Sequence, residues 1–225
     1  MKIVLNEKAA FDQGLHEIQV LKWLKKGSAL HSKHIANLLD YFYFKVHFTQ
    51  EHLFLVYELL GDPVTFLQGA APELIWTVAR QLAIALSYVH SRNTAHGNLH
   101  CDNVLQVDRA FPQGVEVRLT GFSKSPLPGS APVPSQTAPE GYISAKSDAW
   151  DLGRVLTELY TGWTVPVGDY QHVSLYEIAA KTAELHAALD DRVEDPRLCQ
   201  LLKQLLTIDL QQRAAVGDLL ENMIN

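Results

Sequence analysis

"HGNLHCDNVL", residues 96–105, sets a histidine, a glycine, small polar residues and an asparagine ahead of a β-branched apolar run. That is how a catalytic loop leads into a strand, yet no carboxylate stands at its centre where a general base belongs. On its N-terminal side Leu74, Val78, Leu82, Ala85 and Val89 recur at helical spacing as far as His90. On its C-terminal side, residues 104–105 and 115–119 read as short apolar strands. Residues 123–140, "SKSPLPGSAPVPSQTAPE", hold five of the ten prolines and predict polyproline II or open loop. "SDAWDLGRVLTELYTG" (147–162) is apolar almost all round and predicts a buried central helix with Gly162 as its stop. Residues 173–189 and 198–223 predict further amphipathic helices.

Upstream the texture differs. "MKIVLN" begins inside a strand, and Phe11, Leu15, Ile18, Leu21 and Leu24 mark an amphipathic helix that stops at Gly27. "IANLLDYFYFKVHF" and "HLFLVYELLG" predict two antiparallel strands joined through the polar "TQE". Residues 1–61 thus read β, α, β, β, and residues 62–225 are mainly helical.

The 225 residues suffice for one large domain or two lobes with an independent core. Cys101 and Cys199 form no CxxC pair, which argues against a disulfide framework or zinc ribbon and for a reducing compartment. The longest strongly apolar run, "LFLVYELL", is about eight residues, well short of the roughly 20 a membrane span needs. Residues 1–5 are too short for a signal-peptide core. The expectation is a soluble protein of the cytoplasm or nucleus. A formal net charge of −6 counts against a nucleic-acid surface. His96, His100 and Cys101 lack a second ligand cluster, so structural histidines are expected there rather than a metal site.

The order of these pieces resembles the eukaryotic protein kinases, and within them the SR-protein kinase branch. Lys2 and Glu17, 15 residues apart, match the family's strand lysine and helix glutamate. "LVYELLG" resembles the hinge, with Tyr57 as gatekeeper and the backbone of Glu58 and Leu60 placed for an adenine. "HGNLHCDNVL" is similar to the branch's "HTDIKPENIL", "LTGFSKS" to the DFG segment, "APE" to the end of the activation loop, "SDAWDLG" to "SDVWSLG", and "DLQQR" to a late "DPxxR". The resemblance implies a two-lobed α+β fold: a small lobe over residues 1–61 with only three strands and one helix, and a mainly helical large lobe over 62–225. It implies ATP and Mg²⁺ as cofactors. Asp148 matches the residue that ties the buried helix to the catalytic loop, Glu140 and Arg213 match a buried ion pair, and Leu21, His96 and Phe122 match a stacked column joining the lobes.

The departures fall on the chemistry. A kinase must hold metal on the phosphates, orient the acceptor hydroxyl and neutralise developing charge. Asn103 matches the metal-binding asparagine, but Gly121 stands where the DFG aspartate chelates the metal. Asn98 replaces the catalytic aspartate and its amide cannot take a hydroxyl proton. His100 replaces the lysine beside the γ-phosphate. Loss of the base alone typically costs ~10²–10⁴-fold. Asp102 matches a position that points away from substrate. The family also places two strands and a glycine-rich loop before the lysine, and only Met1 precedes Lys2. A truncated gene model or fragment and a remnant completed by another surface both fit that start. Gly97 replaces the arginine that reads activation-loop phosphate, so Ser125 and Ser130 are not expected to form the usual switch. Trp23, Trp76 and Trp150 read as packing residues.

These features make a pseudokinase scaffold the leading expectation. Its partner would be a protein, an active relative or a serine/arginine-rich protein, rather than nucleic acid or membrane. A bare sheet edge in the small lobe would favour an oligomer. The rivals are a low-activity ATP-dependent serine/threonine kinase, holding nucleotide through Lys2, Glu58, Leu60 and Asn103, and a decayed copy with no function.

Overall fold

The computed structural model describes residues 1–26, 33–47, 50–107, 114–166, 170 and 173–224. It has the α+β, two-lobed architecture expected, with a small lobe of three strands and one helix. Strand β1 (Lys2–Val4), helix α1 (Lys8–Lys25), β2 (Leu38–His47) and β3 (Gln50–Tyr57) build that lobe. The sheet is antiparallel in the order β1-β3-β2, with Ile3 opposite Phe54 and Phe54 opposite Phe42. Alternation then sorts the faces. Val4, Leu53 and Leu55 turn inward onto Ile18 of α1, while Ile3, Phe42 and Phe44 stay exposed. Phe42 stacks on Phe54 with centroids 5.0 Å apart. The helix lies close on the sheet because position 14 is glycine: a Cβ there would stand 3.0 Å from the Val4 and Leu53 side chains. The expected stop at Gly27 falls outside the described residues, and the last helical turn is closed by the Lys26 N–H.

The large lobe is built around α2 (Pro72–Ser91) and α3 (Ala145–Thr161), with β4 (Val104–Gln106) and β5 (Val117–Leu119) as a small antiparallel pair on top. Helices α4 (Leu175–Asp190), α5 (Pro196–Leu205) and α6 (Val216–Ile224) complete it. α3 starts on a capping box between Ser144 and Ser147 and ends at Gly162, whose φ of 71° is open to glycine at little cost. Its Trp150, Leu152 and Leu156 are buried with Ile75, Leu82 and Leu86 of α2, each such side chain contributing roughly 1.5–3 kcal/mol by leaving water. α5 passes so close to α3 that a Cβ on Gly153 would meet Leu206 at 2.8 Å.

Several boundaries differ from the sequence expectation, and β3 begins at Gln50, inside the expected "TQE" joint, and ends at Tyr57. The single segment 198–223 is two helices, because the chain turns after Leu205 to carry Arg213 inward. The strand expected over 115–119 covers only 117–119, since the Val115 carbonyl is taken by the Gln81 side chain at 2.6 Å. Ile35 and Ala36 belong not to β2 but to the seam between lobes, where Ala36 N–H donates to Leu119 O (2.9 Å) and Leu119 N–H to His34 O (2.8 Å). Tyr88 of α2 also donates its hydroxyl to the Leu24 carbonyl of α1. Among the described residues no helix is long and apolar enough to cross a membrane.

Candidate functional site

The residues singled out from the sequence gather in two clusters, one in the small lobe and one about the loop 96–103. Lys2 on β1 and Glu17 on α1 meet, Nζ to Oε2, at 2.6 Å. The Glu17 carboxylate is buried, and its other oxygen accepts the Tyr57 hydroxyl at 2.8 Å. Two bonds from opposite sides compensate a charge that would otherwise be costly to bury. Burial, and then the Glu17 charge, push the Tyr57 phenol well above its usual range, so it stays a donor. The hinge is fixed from behind: Glu58 N–H donates to Asn37 O at 3.0 Å, and the Glu58 carboxylate accepts Asn37 N–H at 2.8 Å. Leu60 is partly exposed, and Leu59 between them is 94 % exposed.

Below, the loop 96–103 is held by its underside. Asp148, at the start of α3, accepts His96 N–H at 2.7 Å, Gly97 N–H at 2.8 Å and His90 Nε2 at 2.8 Å. Burial alone would raise this carboxyl, but the His90 contact, His96 and the Gly97 amide outweigh it and hold it below the usual carboxylate range. His96 is fully buried, donates Nε2–H to Thr120 O at 2.8 Å and packs edge-on against Phe122 with centroids 4.7 Å apart. Burial lowers its pKa, so the ring is neutral and structural. Cys101 is buried next to Glu158 of α3, and burial followed by that carboxylate pushes the thiol up to about 12, which makes it inert. Arg213 reaches Glu140 at 3.0 Å with both side chains out of water, and the guanidinium also donates to the carbonyls of Lys146, Thr207 and Ile208.

The upper face of the same loop carries the altered positions. Asn98 keeps its backbone N–H on His96 Nδ1 at 3.3 Å. Asn103 turns its amide onto Asn98 O and His100 Nε2, each at 2.8 Å. Gly121 sits at φ 81° directly beneath that amide. Asp102 is 75 % exposed and lies 3.5 Å from His100 Nδ1. Among the described residues no three His, Cys, Asp or Glu side chains gather as a metal site. Of the two positions that match the family's metal ligands, Gly121 has no side chain to offer and Asn103 has an amide oxygen but no charge.

Several contacts escaped the sequence reading. The Tyr57 hydroxyl on Glu17 and the His90 contact with Asp148 had no spacing signal. Ser125 is fully buried and donates Oγ–H to His96 O at 2.8 Å, and its own carbonyl lies 2.7 Å from His16 Nε2 of α1. A kinase has no access to it, whereas Ser130 is exposed.

A lysine–glutamate pair under a small sheet, a hinge, and a loop pinned by a helix aspartate together define a protein with the kinase architecture. The chain belongs to the protein kinase family: the family model described as "Protein kinase domain" matches residues 1–223. Similar curated proteins include the probable serine/threonine-protein kinase dyrk2 of Dictyostelium discoideum, 29% identical over 177 residues, covering 72% of this chain and 18% of that protein. The serine/threonine-protein kinase RUNKEL of Arabidopsis thaliana is 35% identical over 155 residues, 63% of this chain and 11% of that protein. The serine/threonine-protein kinase ULK3 of Xenopus laevis is 31% identical over 222 residues, 92% of this chain and 44% of that protein. The chain thus spans less than half the length of each of these relatives.

Proposed function

We propose that this chain is a pseudokinase: a protein-kinase fold that binds a protein partner and does not transfer phosphate. The observation that carries this reading is the cleft floor, where neither Asn98 nor Gly121 supplies a carboxylate and the neighbouring acid, Asp102, points at His100. The SR-protein kinase branch is our reading of the loop "HGNLHCDNVL" and of the 15-residue interval across which Lys2 meets Glu17. The partner we favour is an active relative or a serine/arginine-rich protein, and the exposed apolar row of Ile3, Phe42 and Phe44 supports a covered surface on the small lobe.

A second reading, a serine/threonine kinase of low activity, is favoured by one contact: the Lys2–Glu17 pair at 2.6 Å, the arrangement that positions phosphates in the family. Thermal unfolding of the chain with and without millimolar ATP, in Mg²⁺ and in EDTA, separates the two. Native-state binding at about 100 times Kd adds roughly 2.7 kcal/mol, a rise of about 5–10 °C at this size. The pseudokinase reading expects no rise that depends on Mg²⁺. A Mg²⁺-dependent rise, together with phosphate transfer to a serine/arginine-rich peptide, favours the enzyme.

A further inference from the structure

The C-terminal half of α1, the start of β2 and the hinge residue Glu58 line a groove of about 700 Å³ to which neither Lys2 nor Glu17 contributes. Its floor is apolar, with Leu21, Leu24, Ile35 and Ala36 all buried. Leu39 also lines it and is 58 % exposed. This residue stands at the register break between Leu38 and Asp40, the extra residue of a β-bulge with no partner across the sheet, which takes it out of the alternation that sorts its neighbours. The rim is basic. Lys22 donates to the Tyr41 hydroxyl at 2.8 Å and Lys25 to the Asn37 side chain at 3.4 Å; both lysines are exposed, and neither has a carboxylate partner among the described residues. Lys26, next to them, is exposed too. Lys33 and Arg118 bring the cations of the lining to four, against the two carboxylates of Asp40 and Glu58, in a chain whose net charge is −6. Both carboxylates are already engaged: Asp40 accepts Tyr41 N–H at 2.8 Å, and Glu58 accepts Asn37 N–H at 2.8 Å and lies 3.7 Å from Arg118.

We propose that this groove docks an acidic segment of a partner protein, which seats a large apolar side chain over the floor beside Leu39 and sets aspartates or glutamates against Lys22 and Lys25. Charge complementarity names that chemistry: an arginine-rich segment meets lysines of its own sign, and a nucleic-acid backbone leaves the apolar floor unused. The serine/arginine-rich partner is therefore not the occupant of this groove. The proposal deepens the reading of the chain as a protein-binding scaffold and rests on that reading only for the binding. Because Asn98, Asn103 and Gly121 do not line the groove, it does not depend on the loss of catalysis.

The test selects displayed random peptides on the whole chain and measures the affinity of the enriched ones for the wild type, for Lys22→Glu combined with Lys25→Glu, and for Leu39→Asp. All three side chains are exposed, and an unchanged urea midpoint checks that each variant folds. The enriched peptides are expected to carry Asp and Glu around a Leu, Phe or Trp, and to bind either variant at least about tenfold more weakly. Enriched peptides that are neutral or basic, peptides that bind both variants as well as the wild type, or no enrichment at all overturn the proposal. So does displacement of a bound acidic peptide by an equal concentration of an arginine–serine repeat peptide or of single-stranded RNA. Should the lysine variant fail to fold, Leu39→Asp and salt decide: affinity that falls as salt is raised is expected, and affinity indifferent to both overturns the docking site. Phosphate transfer by the wild type would sink the non-catalytic reading separately, since peptide affinity at this groove does not report on transfer.

Discussion

The two faces of one loop have fared differently. On its underside, residues 96–97 hang from the Asp148 carboxylate by two backbone hydrogen bonds of 2.7 and 2.8 Å, with His90 as a third donor. On its upper face, Asn98 and Gly121 carry no charge and Asn103 is turned inward. The first face holds the fold and the second carries the altered positions, and the proposed non-catalytic reading rests on that contrast.

Stability measurements can break that contrast. The largest effect is expected at Asp148→Ala, which strands two buried backbone N–H groups and His90; urea unfolding should show a loss of roughly 4–5 kcal/mol. Arg213→Met should cost about 3 kcal/mol by leaving the Glu140 carboxylate buried and unpaired, and Glu140→Gln less, because the guanidinium keeps three carbonyl acceptors. A loss below about 1 kcal/mol at Asp148 would remove the underside from the fold-holding role.

A pH series sharpens the comparison on a single helix. Asp148 and Asp151 stand one turn apart on α3 and are shifted in opposite directions. Asp148, held low, adds stability that is present above the ordinary carboxylate range and is lost as pH falls through its folded pKa. Asp151 is pushed up to about 7 by burial, with Arg154 Nη1 at 3.6 Å from its Oδ1, too far for a hydrogen bond. The unfolded chain releases that proton near pH 4 and the folded one near 7, so stability falls as pH rises across this window. Asp151→Asn should therefore raise the unfolding free energy by about 1–3 kcal/mol at pH 8 and leave it unchanged at pH 4. A variant that is no more stable at pH 8 would mean the carboxylate is already satisfied.

The smallest effect is expected on the upper face. Asn98→Ala, which removes a side chain without a hydrogen-bond partner among the described residues while sparing its backbone contacts, should change the unfolding free energy in urea by no more than about 0.5 kcal/mol. A large loss there would mean that the altered residue has become structural.

Much of the fold was legible because it rests on periodicity and on stops that have one physical meaning. The heptad-like run from Leu74 to Val89 became α2, and Gly162 ended α3 in the left-handed conformation only glycine takes freely. The Lys2–Glu17 contact and the Glu140–Arg213 pair both followed from the resemblance to the kinases, whose paired residues these positions match. What the residues could not disclose was rotamer and neighbour. Nothing in "CDN" says that the Asn103 amide turns onto Asn98, since both orientations suit the same backbone and surrounding acceptors choose between them. The hidden hydroxyl of Ser125 was missed for the same reason: a proline-rich stretch gives no period from which to read burial.

The Glu140–Arg213 pair also constrains the order in which the protein can be made. Its partners are 73 residues apart, and a ribosome adding roughly 5–20 residues per second exposes the carboxylate about 4–15 s before the guanidinium. Through that interval the nascent large lobe carries a carboxylate whose native partner has not been synthesised, so its closure waits on the segment between α5 and α6. A chaperone that acts on this chain meets it with the α3 entry still unlatched.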